Sequence, residues 1–229
     1  MSDQEDKIPN HIGFIMDGNR RWAKTHGLPT YEGHLAGYNR VKDVVRASVD
    51  AGVKYVSFYA FSTENWDRTE KEISYLMKLF MRMFTSDLDE VVGENVRIVI
   101  AGTDERLDKK VIQAARDAEA KTAGNTRATV MLCFNYGGQK EIVDAVKKLA
   151  ASGEEISEEG ISKHLYAPDV PPCDIIVRTS GEQRLSNFML WRAAYSELMF
   201  VDQHWPDMGP NDVKDVIKEY NSRSRRYGG

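Results

Sequence analysis

Short β-rich apolar runs alternate with longer amphipathic stretches along the chain, and this alternation constrains the fold more than any other sequence feature. The runs with strand character are His11–Met16, Tyr55–Phe61, Val96–Ala101, Thr129–Phe134, Asp174–Val177 and a weaker Leu198–Val201. Their near-continuous apolar character is typical of strands that are covered on both faces. The sequence therefore predicts an α/β fold with a mostly parallel central sheet of about six strands and helices on both faces.

The stretches between the strands repeat apolar residues at helical spacing. The predicted helices are Gly33–Ala51, Glu70–Leu88, Asp104–Ala123, Gln139–Ala151, Ser157–Leu165 and Asn211–Arg225. Since no repeat, low-complexity tract or long linker divides the chain, we expect a single domain over residues 8–229 after a polar tail at residues 1–7.

Charge and cysteine content exclude several classes of protein. Lys and Arg number 31 against 35 Asp and Glu, a net charge of −4, which argues against a uniformly basic nucleic-acid binder. Two distant cysteines cannot form a disulfide scaffold and are typical of a reducing compartment. The first residues are polar, and no apolar run approaches the ~20 residues of a membrane span. We therefore expect a cytoplasmic protein with no nucleic-acid partner.

Three of the predicted strands are followed by segments rich in arginine and in small, hydroxyl or amide side chains. These segments are Asp17–Trp22, Ser62–Arg68 and Arg178–Ser186. Ligands of open α/β sheets bind beyond the carboxyl ends of the strands, and guanidinium groups and helix N-termini bind phosphate oxygens. Asp17 beside such a site suits Mg²⁺, which binds through one or two carboxylates plus substrate phosphates. Because Asp-Gly-Asn is also common turn chemistry, the prediction of a multi-phosphate ligand depends on the convergence of the three segments.

Other phosphate, hydrolase and zinc motifs are absent from the sequence. There is no GxxxxGK[ST] loop, no GxGxxG after the first strand, no GxSxG elbow and no HExxH pair. The histidines are expected to be structural or on the surface, except His34, which follows the first arginine segment closely enough to reach the same site.

Several long motifs, in order, resemble those of the cis-prenyltransferase family. The matching segments are His11–Ala23, Gly33–His34, Phe61–Trp66, Asn135–Gly138, Ile176–Phe188, Trp191, Ala194–Leu198 and Arg225–Gly228. Together they span nearly the whole chain from Ile8. The resemblance implies a homodimeric transferase that uses Mg²⁺ to condense isopentenyl diphosphate with an allylic diphosphate of farnesyl or geranyl type.

The resemblance also implies roles for individual residues. Asp17 and Asn65 are expected to be catalytic, with Asp17 and Glu197 as metal ligands, although Glu197 could instead serve dimer contacts. The expected allylic-site residues are Gly18, Asn19, Arg20, Arg21, Trp22, His34, Ser62, Thr63, Glu64, Trp66 and Arg68. The expected isopentenyl diphosphate ligands are Arg178, Arg184, Ser186, Arg226 and Gly228, of which the last two would complete the partner subunit's site.

The expected product is a medium or long polyprenyl diphosphate, near undecaprenyl length and used as a cell-wall carrier lipid. Small Ala60 would leave room for the chain, while Met77 and Phe80 would line a tunnel or simply form core. A transient membrane association would release the product. The alternatives are a shorter-chain synthase or a non-catalytic subunit that binds prenyl diphosphates.

One position departs from the family pattern. Many members carry an arginine four residues before the histidine of Gly33-His34, where this chain has Thr30. Either a weaker allylic site or a substitute arginine, such as Arg20 or Arg40, is expected.

Overall fold

Six strands form one sheet in which every neighbouring pair is parallel. The strands are β1 (His11–Ile15), β2 (Tyr55–Ser62), β3 (Val96–Ala101), β4 (Ala128–Tyr136), β5 (Ile175–Arg178) and β6 (Glu197–Phe200). Their order across the sheet is β3-β4-β2-β1-β5-β6. This is a computed structural model that describes residues 7–223, and it confirms the predicted single α/β domain.

Eight α-helices connect and flank the strands in this part of the chain. They are α1 (Asn19–Thr25), α2 (Thr30–Asp50), α3 (Glu70–Phe84), α4 (Leu88–Gly93), α5 (Lys109–Thr122), α6 (Gly138–Ser152), α7 (Glu158–His164) and α8 (Pro210–Ser222). Short 3₁₀ helices cover Thr63–Asp67 and Trp205–Asp207.

Alternate residues of the strands supply two apolar clusters, one on each face of the sheet. Phe14 and Phe58 stack at 5.5 Å on the face covered by α2, α3, α5 and α8. Ile15 and Cys133 join the opposite cluster, which includes Phe188 and Met189 from the segment after β5. Both faces are therefore covered, as the near-continuous apolar strands predict.

Two predicted helices have different bounds in the structure. The predicted helix Glu70–Leu88 is two helices, because α3 ends at Phe84 and the backbone of Thr85 leaves the helical region, with φ −125° and ψ −86°. The predicted helix Asp104–Ala123 begins later, at Lys109, because the carboxylate of Asp108 accepts the N–H of Lys110 at 2.7 Å as an N-cap.

The strand order defines where a ligand can bind. From β1 the chain continues to β2, toward the edge of the sheet formed by β3. From β5 it continues to β6, at the opposite edge. The connections diverge between β1 and β5, and a crevice opens there at the carboxyl ends of the two strands. Residues 16–22 and 179–187 border this crevice.

Candidate active site

An ion pair joins the ends of β1 and β5 across this crevice. Asp17 Oδ2 lies 2.9 Å from Arg178 Nη2, and Asp17 Oδ1 lies 3.1 Å from Arg21 Nη2. Burial alone would raise the pKa of Asp17, but the hydrogen bonds and charges of Arg178 and Arg21 outweigh it and lower that pKa. Asp17 is thus an ionised carboxylate held between two guanidinium groups.

The backbone on the two sides of the crevice is held in close contact. The N–H of Asp17 donates to Thr179 Oγ1 at 3.0 Å, and that hydroxyl donates to the carbonyl of Asp17 at 2.7 Å. Gly18 has φ +102°, and a Cβ there would lie 2.7 Å from Ser180 Oγ. Glycine at this position therefore permits both the turn into α1 and the contact with the β5 loop. The first turn of α1 leaves backbone N–H groups without intrahelical partners, which suits an anion.

The loop after β5 is organised by Arg178. Its Nη1 donates to the carbonyl of Arg184 at 2.6 Å and to Ser186 Oγ at 2.7 Å. Three non-glycine residues of this loop have left-handed backbones, with φ of 79° at Ser180, 48° at Ser186 and 67° at Asn187. The structure therefore brings the predicted residues Arg178, Arg184 and Ser186 together, in a strained loop typical of binding sites.

Glu182 holds two more arginines beside the crevice. Its carboxylate lies 3.2 Å from Arg21 Nη1 and 2.5 Å from Arg184 Nη1. The pKa of Glu182 is lowered by the hydrogen bond and charge of Arg184. These contacts are on the protein surface and contribute little to stability, so an incoming phosphate can replace Glu182 as the partner of either arginine.

The segment Ser62–Arg68 after β2 is largely a 3₁₀ helix. Ser62 and Asn65 form a capping box, in which the N–H of Ser62 donates to Asn65 Oδ1 at 3.2 Å. Asn65 and Arg68 line the cleft into which the crevice opens. Trp66 donates to Asn135 Oδ1 at 2.7 Å, and Arg106 lies over its ring. Ser62 and Trp66 thus fix the segment that presents Asn65 and Arg68.

Glu64 joins that segment to the loop after β5, and Thr63 supports Glu64. Glu64 Oε1 accepts Asn187 Nδ2 at 3.0 Å, and Thr63 Oγ1 donates to Glu64 Oε2 at 3.2 Å. Thr63 and Glu64 were predicted in the allylic site, but neither lines the cleft.

His34 is paired within the protein. Its Nε2 lies 3.0 Å from Glu72 Oε1, and Arg68 Nη1 lies 3.2 Å from the same oxygen. Burial lowers the pKa of His34 although Glu72 opposes the effect, and the charges of Arg68 and Arg20 add to the lowering. His34 therefore lines the cleft as a neutral imidazole near physiological pH.

The crevice opens into a cleft of about 820 Å³ that is lined by Asp17, Arg21, His34, Asn65 and Arg68, whereas Arg178, Arg184 and Ser186 lie outside its lining. Arg20 and Lys24 line it as well, and neither side chain makes a hydrogen bond or ion pair within residues 7–223. Thr30 also lines the cleft, whereas Arg40 is bound elsewhere, to the carbonyl of Pro206 at 3.1 Å and to Asp43 at 2.7 Å. Of the two candidate substitutes for the arginine missing at Thr30, the geometry favours Arg20.

Two predicted site residues, Trp22 and Met77, lie elsewhere. Trp22 donates to Asp207 Oδ1 at 2.7 Å and stacks on His26 at 4.2 Å, outside the cleft. Met77 packs on the apolar cluster beneath α3 and lines no cavity next to the cleft. The indole of Trp22 therefore anchors α1, and Met77 is core.

Glu197 does not meet Asp17 within one chain. It begins β6, paired in register with Ile175 at the amino end of β5, whereas Asp17 lies beyond the carboxyl ends. Its carboxylate lies 3.1 Å from Arg223 Nη1. A metal site shared by Asp17 and Glu197 of the same chain is thus wrong, because the length of the sheet separates them. Arg226 and Gly228 lie outside the described residues.

Asp17 is the carboxylate suited to a metal at this site. Residues 7–223 hold no cluster of three or more His, Cys, Asp or Glu side chains that could form an all-protein metal cage. Mg²⁺ does not require one, since it commonly binds one or two carboxylates and takes its other oxygens from phosphates and water. An ionised Asp17 among phosphate-binding groups fits that mode.

An apolar cavity continues from the cleft under α2 and α3. It measures about 70 Å³ and shares Met16, His34, Ala60 and Leu76 with the cleft, while Phe80 lines its deeper wall. The pairing of β2 with β4 is irregular between Tyr59 and Phe61. Such a bulge re-aims a side chain, and Ala60 lies at this irregularity on the wall of both cavities.

Several residues of the site escaped the sequence analysis. Glu72 positions both His34 and Arg68, Thr179 joins the two strand ends, and His204 Nδ1 lies 2.8 Å from Ser180 Oγ. Only Glu72 carries a sequence signal, its i, i+4 spacing from Arg68 at the start of α3.

The chain matches the family described as "Putative undecaprenyl diphosphate synthase" over residues 15–228. The chain belongs to this family. An isoprenyl transferase of Thermotoga maritima is 45% identical, covering 97% of this chain and 98% of its own. A ditrans,polycis-undecaprenyl-diphosphate synthase of Micrococcus luteus, (2E,6E)-farnesyl-diphosphate specific, is 43% identical over 97% of this chain and 92% of its own.

A solved structure agrees with the family assignment. Lavandulyl diphosphate synthase from Lavandula x intermedia, in complex with dimethylallyl diphosphate, superimposes with a TM-score of 0.93. It is 32% identical and covers 97% of this chain and 99% of its own. This member of the undecaprenyl diphosphate synthase family is accordingly a prenyl transferase. None of the helices within residues 7–223 is long and apolar enough to cross a bilayer.

Proposed function

We propose that this prenyltransferase elongates an allylic diphosphate of farnesyl or geranyl type with isopentenyl diphosphate, forming cis double bonds. The observation that carries the proposal is the Asp17–Arg178 ion pair, which lies between two sets of cationic groups at the mouth of an apolar cavity. Two diphosphates and one growing hydrocarbon chain are the ligands that such a site suits.

The allylic diphosphate is proposed to bind on the α1 side of Asp17. Arg20, Lys24 and Arg68 line this part of the cleft, and the start of α1 supplies backbone donors. The Arg20 and Lys24 side chains have no hydrogen-bond or ion-pair partner among the described residues, so they can bind phosphate oxygens without breaking a contact seen there. Arg20 would replace the arginine that the family carries at the position of Thr30.

Isopentenyl diphosphate is proposed to bind in the loop after β5. Within residues 7–223, Arg178 has a buried Nε with no hydrogen-bond partner, and the partly exposed Glu182 is the only partner of the Arg184 side chain. Ser186 already lies 2.7 Å from Arg178, so a phosphate bound by both would meet a preformed donor pair. Holding both substrates by their diphosphates places the alkene near the allylic carbon, which is the main requirement of a bimolecular condensation.

Asp17 is proposed to hold Mg²⁺ through the oxygens that now contact Arg21 and Arg178. Mg²⁺ would supply positive charge for the diphosphate that leaves the allylic carbon. In the reaction the allylic C–O bond breaks, the new C–C bond forms to isopentenyl diphosphate, and a proton is lost. Arg20, Arg21 and Arg68 stabilise the departing negative charge as fixed donors do.

The product chain is proposed to grow into the apolar cavity past Ala60. The small Ala60 and the walls of α2 and α3 favour elongation to a medium or long chain, near undecaprenyl length. A carrier lipid for the cell wall, released by transient contact with the membrane from a cytoplasmic enzyme, is the proposed use of such a product.

A homodimer is proposed to complete the site. β6 is the edge of the sheet, and Leu198 on it and Tyr195 before it are exposed. The motif Arg225–Gly228 would reach the partner's site from the end of α8. Mixed dimers of full-length subunits with subunits that end at Arg223 and carry Asp17→Ala test this, since the only site with an intact Asp17 then receives the shortened tail.

The experiment that tests the proposed function is a product analysis. Purified protein is incubated with labelled isopentenyl diphosphate, a panel of allylic primers, and Mg²⁺ or a chelator. A ladder of cis-polyprenyl products that requires Mg²⁺ is expected. Product limited to one or two condensations would indicate a shorter-chain synthase, and binding of primers without turnover would indicate a non-catalytic subunit.

A further inference from the structure

The apolar cavity under α2 and α3 does not end in packed core. It shares Tyr38, Val41, Met83 and Leu132 with a second apolar cavity of about 80 Å³. Val45, Val49 and Val91 line the second cavity, which lies between α2, α4 and the sheet. The cleft and the two apolar cavities, which share wall residues, therefore follow one another along α2 from the Asp17 end to Val49, and we call the two apolar cavities together the channel.

The far end of this channel is closed by charged side chains. Lys42 and Arg46 lie on α2. They face three carboxylates of α4, with Asp87 at its N-cap, Glu90 within it and Glu94 at its C-cap. All five side chains line the second cavity. We name these five residues the distal strap. Lys42 Nζ lies 2.6 Å from Glu90 Oε2 and 2.9 Å from Asp87 Oδ2. Arg46 Nη2 lies 2.9 Å from Glu94 Oε1 and 3.4 Å from Glu90 Oε1.

The strap joins two helices that have a cavity between them. The break at Thr85 separates α4 from α3, and it brings Asp87 into reach of Lys42, Arg82 and the hydroxyl of Tyr38. Ion pairs therefore hold α4 against α2 at the place where the apolar channel would otherwise open to water.

A product near the proposed undecaprenyl length cannot fit in the channel while the strap is closed, so the strap must open during the later condensations. Judged by the volume that one buried water occupies, each cavity holds on the order of five water-sized groups. This corresponds to about one five-carbon unit. A chain that outgrows both cavities must part α2 from α4. Doing so separates or desolvates ion pairs, which costs free energy that further apolar burial must offset.

We infer that the distal strap limits the length of the product, with Glu90 and Lys42 as its central specificity-determining residues. This inference rests on the proposed function, since it needs a growing chain in the channel. The strap is far from the reacting groups at Asp17, so it acts on the number of condensations and leaves the first one unchanged.

Charge reversal at Glu90 tests the inference because the strap is exposed. The Lys42 and Glu90 side chains are 30% and 46% exposed, and such pairs contribute little to folding stability. Glu90→Lys places a third positive charge beside Lys42 and Arg46 and should open the channel. The dominant product should then shift upward by one or more five-carbon units, at an unchanged rate of first condensation and a near-normal melting temperature.

Asp89→Lys is the matched control. Asp89 neighbours Glu90 on α4, is 84% exposed, and pairs with Lys121 of α5 at 2.5 Å, but it does not line the channel. It undergoes the same change of charge and should leave the product ladder unchanged. An unchanged ladder in Glu90→Lys, a shorter one, or an equal shift in Asp89→Lys would overturn the inference.

A variant that can be cross-linked tests whether closing the channel reverses the effect of opening it. Lys42→Cys/Glu90→Cys removes the central pair, and a bismaleimide then joins the two thiols; Cys133 and Cys173 are buried and will not compete. Products longer than wild type are expected before cross-linking, and products no longer than wild type after it. A product ladder that is the same before and after cross-linking would overturn the inference. A wild-type protein that makes no product ladder at all would overturn the proposed function instead.

Discussion

Two buried arginines, one at the carboxyl end of β5 and one in the segment between β5 and β6, pair with carboxylates at nearly the same distance but in opposite surroundings. Arg192 Nη1 lies 2.8 Å from Glu141 Oε1, and these side chains are 3% and 0% exposed. Arg178 Nη2 lies 2.9 Å from Asp17 Oδ2, and those side chains are 5% and 27% exposed. We call Arg192–Glu141 the closed pair and Arg178–Asp17 the open pair.

The protein satisfies the closed pair completely. Arg192 donates to the carbonyls of Tyr166, Ala167 and Val170, and Glu141 accepts the hydroxyl of Tyr136 at 2.5 Å. Such a buried pair needs these partners, because an unpaired charge in the interior is costly.

The open pair is left incomplete. Within residues 7–223, Arg178 Nε is buried without a partner, and Asp17 faces the cleft. The closed pair thus holds the fold together, whereas the open pair keeps binding capacity for a ligand.

The largest expected effect lies in the closed pair. Glu141→Ala leaves Arg192 charged and buried without its carboxylate, so the free energy of unfolding should fall by about 3–5 kcal/mol. Urea denaturation measures this. Glu159→Ala, which breaks the exposed pair with Lys163, is the control and should have no measurable effect. A loss as small as the control's would remove the structural half of the comparison.

Breaking the open pair should lower the enzymatic activity more than the stability. Asp17→Ala removes the proposed metal ligand, and the turnover should fall by about 10²–10³ or more, as when a group that stabilises the departing charge is lost. Its stability should change less than that of Glu141→Ala, because water from the cleft can reach the freed Arg178. Turnover within a few-fold of wild type in Mg²⁺ would refute the role of Asp17.

A third test uses the pH dependence of the free energy of unfolding, which buried His11 controls. His11 is fully buried and lies 2.6 Å from Ser57 Oγ, and burial lowers its pKa to about 4. Since the unfolded chain binds this proton near pH 6.5, the neutral imidazole contributes stability above that pH. About 3 kcal/mol should be lost as the pH falls from 6.5 to 4.

The control for this pH test is His11→Gln. Its unfolding free energy should depend less on pH over the same range, because the titrating group is gone. If the unfolding free energies of wild type and His11→Gln changed equally with pH, His11 would not be buried in its neutral form.

The fourth prediction separates the two substrate sites. Arg178→Ala should raise the Michaelis constant for isopentenyl diphosphate by about tenfold to a hundredfold, since a charge-assisted hydrogen bond contributes about 1.5–3 kcal/mol. Arg184→Ala should act in the same direction. Arg40→Ala, an arginine bound outside the cleft, should leave both Michaelis constants unchanged. A rise confined to the allylic substrate would reverse the assignment of the two sites.

The smallest effect is expected at Ala60, on the wall between cleft and channel. Ala60→Leu should shorten the products, because forcing a chain past the added atoms costs about 1–3 kcal/mol against about 0.8 kcal/mol per buried CH₂. Chromatography of the products and a melting curve decide this. An unchanged ladder with a lowered melting temperature would instead make Ala60 ordinary core.

The strands and the phosphate-binding segments could be predicted because both depend on local sequence. The apolar runs became the six strands within a few residues, and Asp17, Asn65, Arg68 and Arg178 follow strands that end at one edge of the sheet. Parallel topology alone then brings them together.

What could not be predicted depends on contacts between distant segments. The apolar pattern of α3 continues to Leu88, but Asp87 is drawn to Lys42 and Tyr38 on α2, and the helix breaks before it. Trp22 lies in a matching motif, yet its partner Asp207 is 185 residues away. The left-handed backbone of Ser186 likewise has no signal in residue type of the kind that glycine or asparagine would give.

The most direct test of the account is the rate of isoprenyl transfer per folded molecule in Asp17→Asn and Glu141→Gln, with the unfolding free energy measured on the same preparations. Both changes remove one charge and keep the shape of the side chain. We predict that Asp17→Asn keeps its stability and loses turnover, while Glu141→Gln loses stability and its folded fraction keeps turnover. If Asp17→Asn remained active, or if folded Glu141→Gln were inactive, the distinction between the open and the closed pair would be contradicted.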